Sequence, residues 1–185
     1  MEVLLFPQVP SVLRELGHKE LLIVFTKHDK KNPETIAKLR SEHPKLKIRS
    51  GLLITRIEDA KLKRFYDCLL APPDRSLIES KSVDYIFEPE AASRPDFIHH
   101  RNSGLNQVIL NLCKPSSKRG AKEIITSSSL LLGKRPAEKL GRMAQNARWC
   151  RKYKVKYHVT SGARSIWELR AKDDLAALHR VLLEQ

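Results

Sequence analysis

The densest run of polar, potentially reactive side chains is Pro95-Asp-Phe-Ile-His-His-Arg-Asn-Ser-Gly-Leu-Asn106, with Asp84, Glu88 and Glu90 a short way upstream. His99, His100, Asp96 and these carboxylates are the residue types of a metal-assisted phosphoesterase or nuclease. That chemistry needs several of them converging at one end of a sheet. Adjacent histidines in a loop are a poor ligand pair, and neither HxH nor HExxH spacing supports them. Arg101-Asn-Ser-Gly104 stands ahead of the apolar Leu105, Val108, Ile109 and Leu112, so it reads more simply as a helix start with Asn102 or Ser103 as cap. No Ser-His-Asp or Cys-His order stands out, and there is no GxGxxG or Walker loop. Ser127-Ser-Ser129 lies within a strand pattern and is not a nucleophile elbow.

A second candidate is Thr160-Ser-Gly-Ala163, directly after the strand expected at 155–159. In a parallel sheet such a turn falls at the carboxyl edge, where ligands bind and where free amides would hold a phosphate. The alternative is a tight turn whose glycine meets a conformational demand. Ser165-Ile-Trp-Glu168 matches a capping box, which assigns Ser165 and Glu168 structural work. Arg164 and Arg170 fit salt bridges or RNA contacts better than catalysis.

The third feature is charge. Between Lys114 and Lys156 stand thirteen Lys or Arg against Glu123 and Glu138, which supplies +11 of the formal +14. Charge concentrated this far repels itself and attracts phosphate backbones, so it points to nucleic acid or a ribonucleoprotein. Lys118, Arg119, Lys122, Lys134 and Arg135 flank a strand and, with Arg164, are the candidate RNA-binding residues. On a helix over 136–153, Leu140, Met143, Ala144, Ala147 and Cys150 follow 3.6-residue spacing and face inward, while Arg142 and Trp149 lie almost opposite. Contact with a protein, packing under a loop and stacking on a base all remain open for Trp149. Tryptophan and arginine enrichment in contact patches favours the first, so Arg142, Trp149, Trp167 and Arg170 are the candidate protein interface.

The elements that must position these residues alternate. Strands are expected at 3–6, 21–25, 47–55, 66–71, 83–87, 123–129 and 155–160. Between them fall a turn at Val12, Leu13 and Leu16 ending at Gly17, and a helix opened by Asn32-Pro33 as cap and first position, with Ile36, Ala37 and Leu39 inward. Charged helical segments at 58–65 and 75–81 and helices at 104–112, 136–153 and 173–183 complete the rhythm. Gly51 stands inside the third strand, where another backbone may approach only if the residue is small. Alternating buried strands and helices mean crossovers and a mostly parallel sheet, an α/β chain. The strand count favours a barrel over a doubly wound sheet. At 185 residues some units must be shortened, and with no long linker or repeat the reading is a single domain, 1–185.

No stretch approaches a membrane span, and MEVLLFPQVP lacks the basic start of a signal peptide. Cys68, Cys113 and Cys150 are odd in number, widely spaced and in apolar settings. They read as buried free thiols in a reducing, intracellular, cytoplasmic compartment rather than as a zinc or disulfide framework.

Val83-Asp-Tyr-Ile-Phe-Glu-Pro89, Arg101-Asn-Ser-Gly-Leu-Asn106, Cys150-Arg-Lys-Tyr-Lys-Val155 and Thr160-Ser-Gly-Ala-Arg-Ser-Ile-Trp-Glu-Leu-Arg170 together resemble archaeal ribonuclease P protein component 3. The C-terminal block is the specific part. The family's usual His-Pro stands here as Glu88-Pro89, and Ala171 replaces a common proline. The resemblance implies a TIM-barrel-like, non-catalytic subunit, similar in fold to metal-dependent phosphoesterases but without their ligands. It implies a Pop5-like protein partner, other ribonuclease P proteins, ribonuclease P RNA and, through the holoenzyme, precursor tRNA whose 5′ leader is removed. The endoribonuclease chemistry would belong to the RNA and its Mg2+, with no cofactor bound by this chain. Two rival functions stay open: a metal-dependent phosphoesterase or nuclease on the same fold, and a stand-alone RNA-binding module.

Overall fold

Leu21, Leu22, Ile23 and Val24 are four consecutive apolar residues and all are buried, which requires a strand covered on both faces. A computed structural model, describing residues 1–7, 11–91, 103–118 and 120–184, places them in β2 (Glu20–Phe25). Around it lie β1 (Glu2–Leu4), β3 (Lys47–Leu53), β4 (Cys68–Ala71), β5 (Tyr85–Phe87), β6 (Glu123–Ser127) and β7 (Tyr157–Thr160). The seven strands stand side by side in chain order, and every neighbouring pair is parallel. Each crossover therefore returns to the next position on the same side, with the helices outside. These are α1 (Asn32–Glu42), α2 (Arg75–Ile78), α3 (Gln107–Cys113), α4 (Pro136–Tyr153) and α5 (Lys172–Glu184). Short 3₁₀ segments, Ser11–Leu13 and Ile57–Phe65, replace helices in the first and third crossovers, which is how a barrel fits this length.

The ring closes without an eighth strand. Leu4 bridges Ala163, just beyond β7: the Leu5 amide donates to the Ala163 carbonyl at 2.8 Å, and the Ala163 amide donates to Val3 at 3.2 Å. Alternation along each strand then separates two cores. Val3, Leu22, Val24, Cys68, Leu70, Tyr85, Phe87 and Ile125 fill the lumen. Residues of opposite parity pack outward: Leu4, Leu21, Ile23 and Ile48 against α1, and Ile86, Ile124 and Tyr157 against α3 and α4. Gly51 faces the lumen, where an added Cβ would come within 2.7 Å of Leu70 Cδ1 and 3.2 Å of Leu22 Cδ1. The close approach expected there is thus made by side chains.

Several local expectations are corrected. Asn32 does not cap α1; it is buried, and its amide donates to the Lys27 carbonyl and the Tyr66 hydroxyl, each at 3.0 Å. Ala37 and Leu140 are exposed. Asn106 caps α3 by accepting from the Ile109 amide at 2.9 Å, while Ser103 turns its hydroxyl to the Leu105 carbonyl; Asn102 lies outside the described residues. Ser165 makes no side-chain cap bond, and Glu168 accepts from the Arg164 amide at 2.7 Å. All three cysteines are free and buried, and burial pushes the Cys68 thiol up to about 12. Among the described residues no helix is long and apolar enough to cross a membrane.

Gly162 carries the turn that closes the ring. Its φ is +58°, and an added Cβ would lie 1.9 Å from Ser127 Oγ and 2.2 Å from Ser127 Cβ. Left-handed strain and overpacking act together here, so Gly162→Ala is expected to cost ~3 kcal/mol of stability. Urea titration of the two proteins measures it.

Candidate functional site

Parallel strands direct all their carboxyl ends to one mouth of a barrel, the usual place for chemistry. Here that mouth holds a pocket of about 420 Å³ walled by Leu5, Leu53, Pro72, Pro73, Phe87 and Pro89, with Glu88 and Arg164 as its charged groups. Glu88 ends β5 in the left-handed region at φ +47°, held by its amide donating to the Ile125 carbonyl at 2.8 Å. The Arg164 guanidinium donates to the Glu88 carboxylate at 3.2 and 3.5 Å and to Ser129 Oγ at 3.4 Å. A carboxylate facing a guanidinium is already neutralised, so Glu88 is not presented as a free ligand for a cation.

The carboxylates singled out from the sequence are dispersed by the fold. Asp84 precedes β5 at the opposite, amino-terminal end, where it pairs with Lys63 and accepts from the Leu69 amide at 2.8 Å. Glu90 lies outside the barrel beneath α4, fully buried. Its Oε1 accepts from Asn146 at 2.7 Å and from the Tyr157 hydroxyl at 2.8 Å, and its Oε2 accepts from Thr126 at 2.8 Å. Burial pushes this carboxyl up, and the three donors oppose the shift. Asp96, His99 and His100 lie outside the described residues. Among the described residues no three His, Cys, Asp or Glu side chains gather as a metal site.

The Glu90 cluster escaped the sequence reading. Its available signal was Asn146, a polar residue three positions after Met143 and four before Cys150, hence on the buried stripe. Arg142 belongs to the same cluster. It is only 2% exposed, and its guanidinium donates to the Glu90 carbonyl at 3.2 Å and approaches Glu138 at 3.9 Å. The expected outward Arg142 is therefore corrected, and it leaves the candidate interface. Trp149 is corrected with it: the ring is partly buried and packs on the cluster beneath α4 that includes Cys150 and Leu182.

The turn after β7 is a seam rather than a phosphate cradle. The Ser161 amide donates to the Glu2 carboxylate at 3.0 Å, the Ala163 amide is used by Val3, and Ser161 Oγ accepts from the Arg170 amide at 2.9 Å. His18, whose burial lowers its pKa, places Nε2 2.8 Å from the Arg170 carbonyl and 3.9 Å from Glu2.

The basic candidates divide between the two ends. Lys118 is exposed near the amino end of β6, whereas Lys134 and Arg135 are exposed past its carboxyl end, with Arg135 3.6 Å from Glu138. Arg119 lies outside the described residues. Lys122 is corrected: it is 2% exposed, and its ammonium donates to the Ser80 and Val83 carbonyls at 2.8 and 2.9 Å, turned away from any phosphate. Trp167, by contrast, is 86% exposed beside the exposed Ile166, and Arg170 donates to the Leu169 carbonyl at 3.0 Å.

Glu2 makes the seam sensitive to pH. Complete burial pushes its carboxyl from 4.5 to about 7, against the pull of the Ser161 hydrogen bond. The folded chain holds a proton there that the unfolded chain releases. The contribution is thus full below about pH 4.5 and is lost as pH rises through about 7. Glu2→Gln removes this dependence, so the stability difference between wild type and variant is expected to change by ~3 kcal/mol across that window. Denaturation at pH 4.5 and pH 8 reads it out.

No protein-family model and no curated protein matches the chain. Among solved structures it is similar to a chain in the cryo-EM structure of archaeal ribonuclease P with mature tRNA. The TM-score is 0.75 at 19% identity, over 98% of this chain and 82% of that one. At that identity the likeness establishes the fold: a TIM-barrel-like α/β architecture with a near-closed parallel barrel, shared over almost the whole chain.

Proposed function

We propose that this chain is a protein subunit of ribonuclease P that assists a catalytic RNA in removing the 5′ leader of precursor tRNA. The observation that carries the reading is the likeness, over 98% of the chain, to a protein within archaeal ribonuclease P. Two properties of the chain itself agree. The carboxyl mouth, where a phosphoesterase on this fold would gather its ligands, has apolar walls and a Glu88–Arg164 ion pair. The formal charge is nonetheless +14, most of it in one window. A subunit that lowers repulsion between packed phosphates needs many bases and no exact catalytic geometry.

In this reading the chain works as one barrel in a cytoplasmic ribonucleoprotein, and the Mg2+ ions belong to the RNA. A Pop5-like subunit and other ribonuclease P proteins are its protein partners. Isolation of the tagged chain from cells is the test. Recovery of an RNA that cleaves precursor tRNA in Mg2+, with activity reduced when the chain is omitted from reconstitution, supports the proposal. Mg2+-dependent cleavage by rigorously RNA-free protein would transfer the reading to a phosphoesterase or nuclease.

The protein partner's contact is assigned to Trp167, with Arg170 beside it. An exposed indole next to an exposed isoleucine is an apolar anchor with nothing of its own chain covering it among the described residues. Truncating such an anchor typically costs ~2 kcal/mol, so Trp167→Ala is expected to weaken the pair with the Pop5-like subunit about 30-fold. The melting temperature is expected to stay unchanged, because the ring packs on nothing in the monomer. Calorimetric titration of the two proteins without RNA decides it; equal affinities would remove Trp167 from the interface.

A further inference from the structure

The amino-terminal foot of the barrel, below β6 and β7, gathers bases from parts of the chain that the sequence keeps forty residues apart. The Lys122 amide donates to the Cys113 carbonyl at 3.1 Å, which brings the end of α3 to the start of β6. The Val155 amide donates to Cys150 at 2.9 Å, and the Ile124 amide donates to Lys156 at 2.9 Å, which brings the end of α4 alongside. Lys114 Nζ then lies 5.0 Å over the Tyr153 ring, joining the two helix ends. The surface so formed carries Lys114, Lys118, Arg151, Lys152, Lys154 and Lys156, all exposed except the half-buried Lys114.

Its charge is unbalanced. Of the acids at this foot, Glu123 is engaged by Lys156 at 2.7 Å and His158 at 2.8 Å and Asp84 by Lys63, while Glu184 stands exposed on the last turn of α5, whose Leu183 carbonyl accepts from Arg151 at 2.9 Å. None of Lys114, Lys118, Lys152 and Lys154 has a carboxylate within ion-pair distance among the described residues. Three helix C-termini meet here, those of α3 and α4 and that of α5, whose Leu183 carbonyl takes the Arg151 guanidinium; their dipoles favour a cation each, which accounts for about three bases and not six. The buried ammonium of Lys122, bound only to carbonyls, adds positive charge beneath. By contrast the carboxyl end of β6 offers Lys134 and Arg135, the latter already beside Glu138.

We propose that this foot is the RNA-facing surface of the protein and that it grips the phosphodiester backbone without reading sequence. The inference rests on the ribonucleoprotein reading above and deepens it by choosing the end of the barrel. A backbone is the fitting ligand because the aromatic ring at the site, Tyr153, is half-buried and covered by Lys114, leaving no open face on which a base would stack. Lysines on mobile stems serve phosphates as point charges and need no fixed register.

The test is binding of the full chain to a labelled transcript of ribonuclease P RNA over a range of salt, with circular dichroism confirming the fold of each variant. Replacing Lys114, Lys118, Lys152 and Lys154 together by Gln is expected to weaken binding about 100-fold or more at low salt. The log–log salt slope is expected to fall by about 3, in keeping with four lost phosphate contacts. Lys134→Gln with Arg135→Gln is expected to change the affinity far less. If instead that pair carries the loss and the foot variant binds like wild type, the placement is overturned while the RNA reading stands. A foot variant that binds RNA normally but no longer co-purifies with a protein partner also overturns it, making the foot a protein contact. Wild-type chain that binds the transcript neither alone nor with the other subunits overturns the placement and the RNA reading together.

Discussion

Parallel strands laid side by side in chain order leave two open edges unless the first and last meet, and open edges carry unpaired amides and carbonyls. In this chain β1 is three residues long, and the meeting is made by Ala163, one position past a left-handed glycine. Two backbone hydrogen bonds net ~1 kcal/mol each, too little to hold a ring by themselves. The turn is therefore fastened on every side. Ser129 donates its amide to the Ser161 carbonyl and its hydroxyl to Gly162, Thr160 Oγ donates to Thr126, and Ser161 Oγ receives the Arg170 amide. Glu2 completes the set from β1. The residue types that looked like a ligand cradle in the sequence are those required to fasten a seam.

Closure also decides what each mouth can be. With the ring shut, side chains of alternating parity must fill the lumen, and its two ends differ in kind. At the amino-terminal end Glu20 pairs with Lys47 and Arg49, Arg49 donates to the Tyr85 hydroxyl, and Glu123 meets His158. At the carboxyl end the described lining is mainly leucine, proline and phenylalanine, with Thr26 and Thr55, around the Glu88–Arg164 pair. Arg164 is half exposed but Glu88 is buried, so the cost of desolvating the carboxylate offsets much of the pair's attraction. Its consequence is local: it occupies with a guanidinium the place where converging carboxylates would otherwise present a free charge.

The succession of elements and the limits of α4 were legible because they depend on local pattern, whereas the helix expected from 104 begins at Gln107 and the one expected to 81 ends at Ile78. Pro136 at the first helical position and the 3.6-residue apolar spacing after it mark α4 at both ends, and the apolar run at β2 can be little else. Side-chain partners were not legible in this way. Periodicity put Leu140 inside and Arg142 outside, yet Leu140 is exposed while Arg142 is buried and reaches the Glu90 carbonyl. Lys122 was read as a surface base because it stands among them, and only the approach of the Ser80 and Val83 carbonyls from forty residues away turns it inward. Each error involves a long side chain whose partner comes from a distant crossover, which no window of sequence contains.

The same distance dependence explains why the charge window was informative without being resolved. Its thirteen bases span both ends of β6, since a strand and its flanking loops carry the chain from foot to mouth. A linear count therefore sums two surfaces with different surroundings. At the mouth Arg164 and Arg135 face Glu88 and Glu138, while Lys134 stands exposed beside them. At the foot Glu123 and Asp84 are already engaged, so the field of the unpaired lysines projects outward over roughly a Debye length of ~8 Å at physiological salt. A phosphate backbone approaching the foot would meet Lys114, Lys118, Lys152 and Lys154, none of which has a carboxylate within ion-pair distance among the described residues. The fold thus divides one run of lysine and arginine between two ends of the barrel and leaves part of it unpaired at the foot.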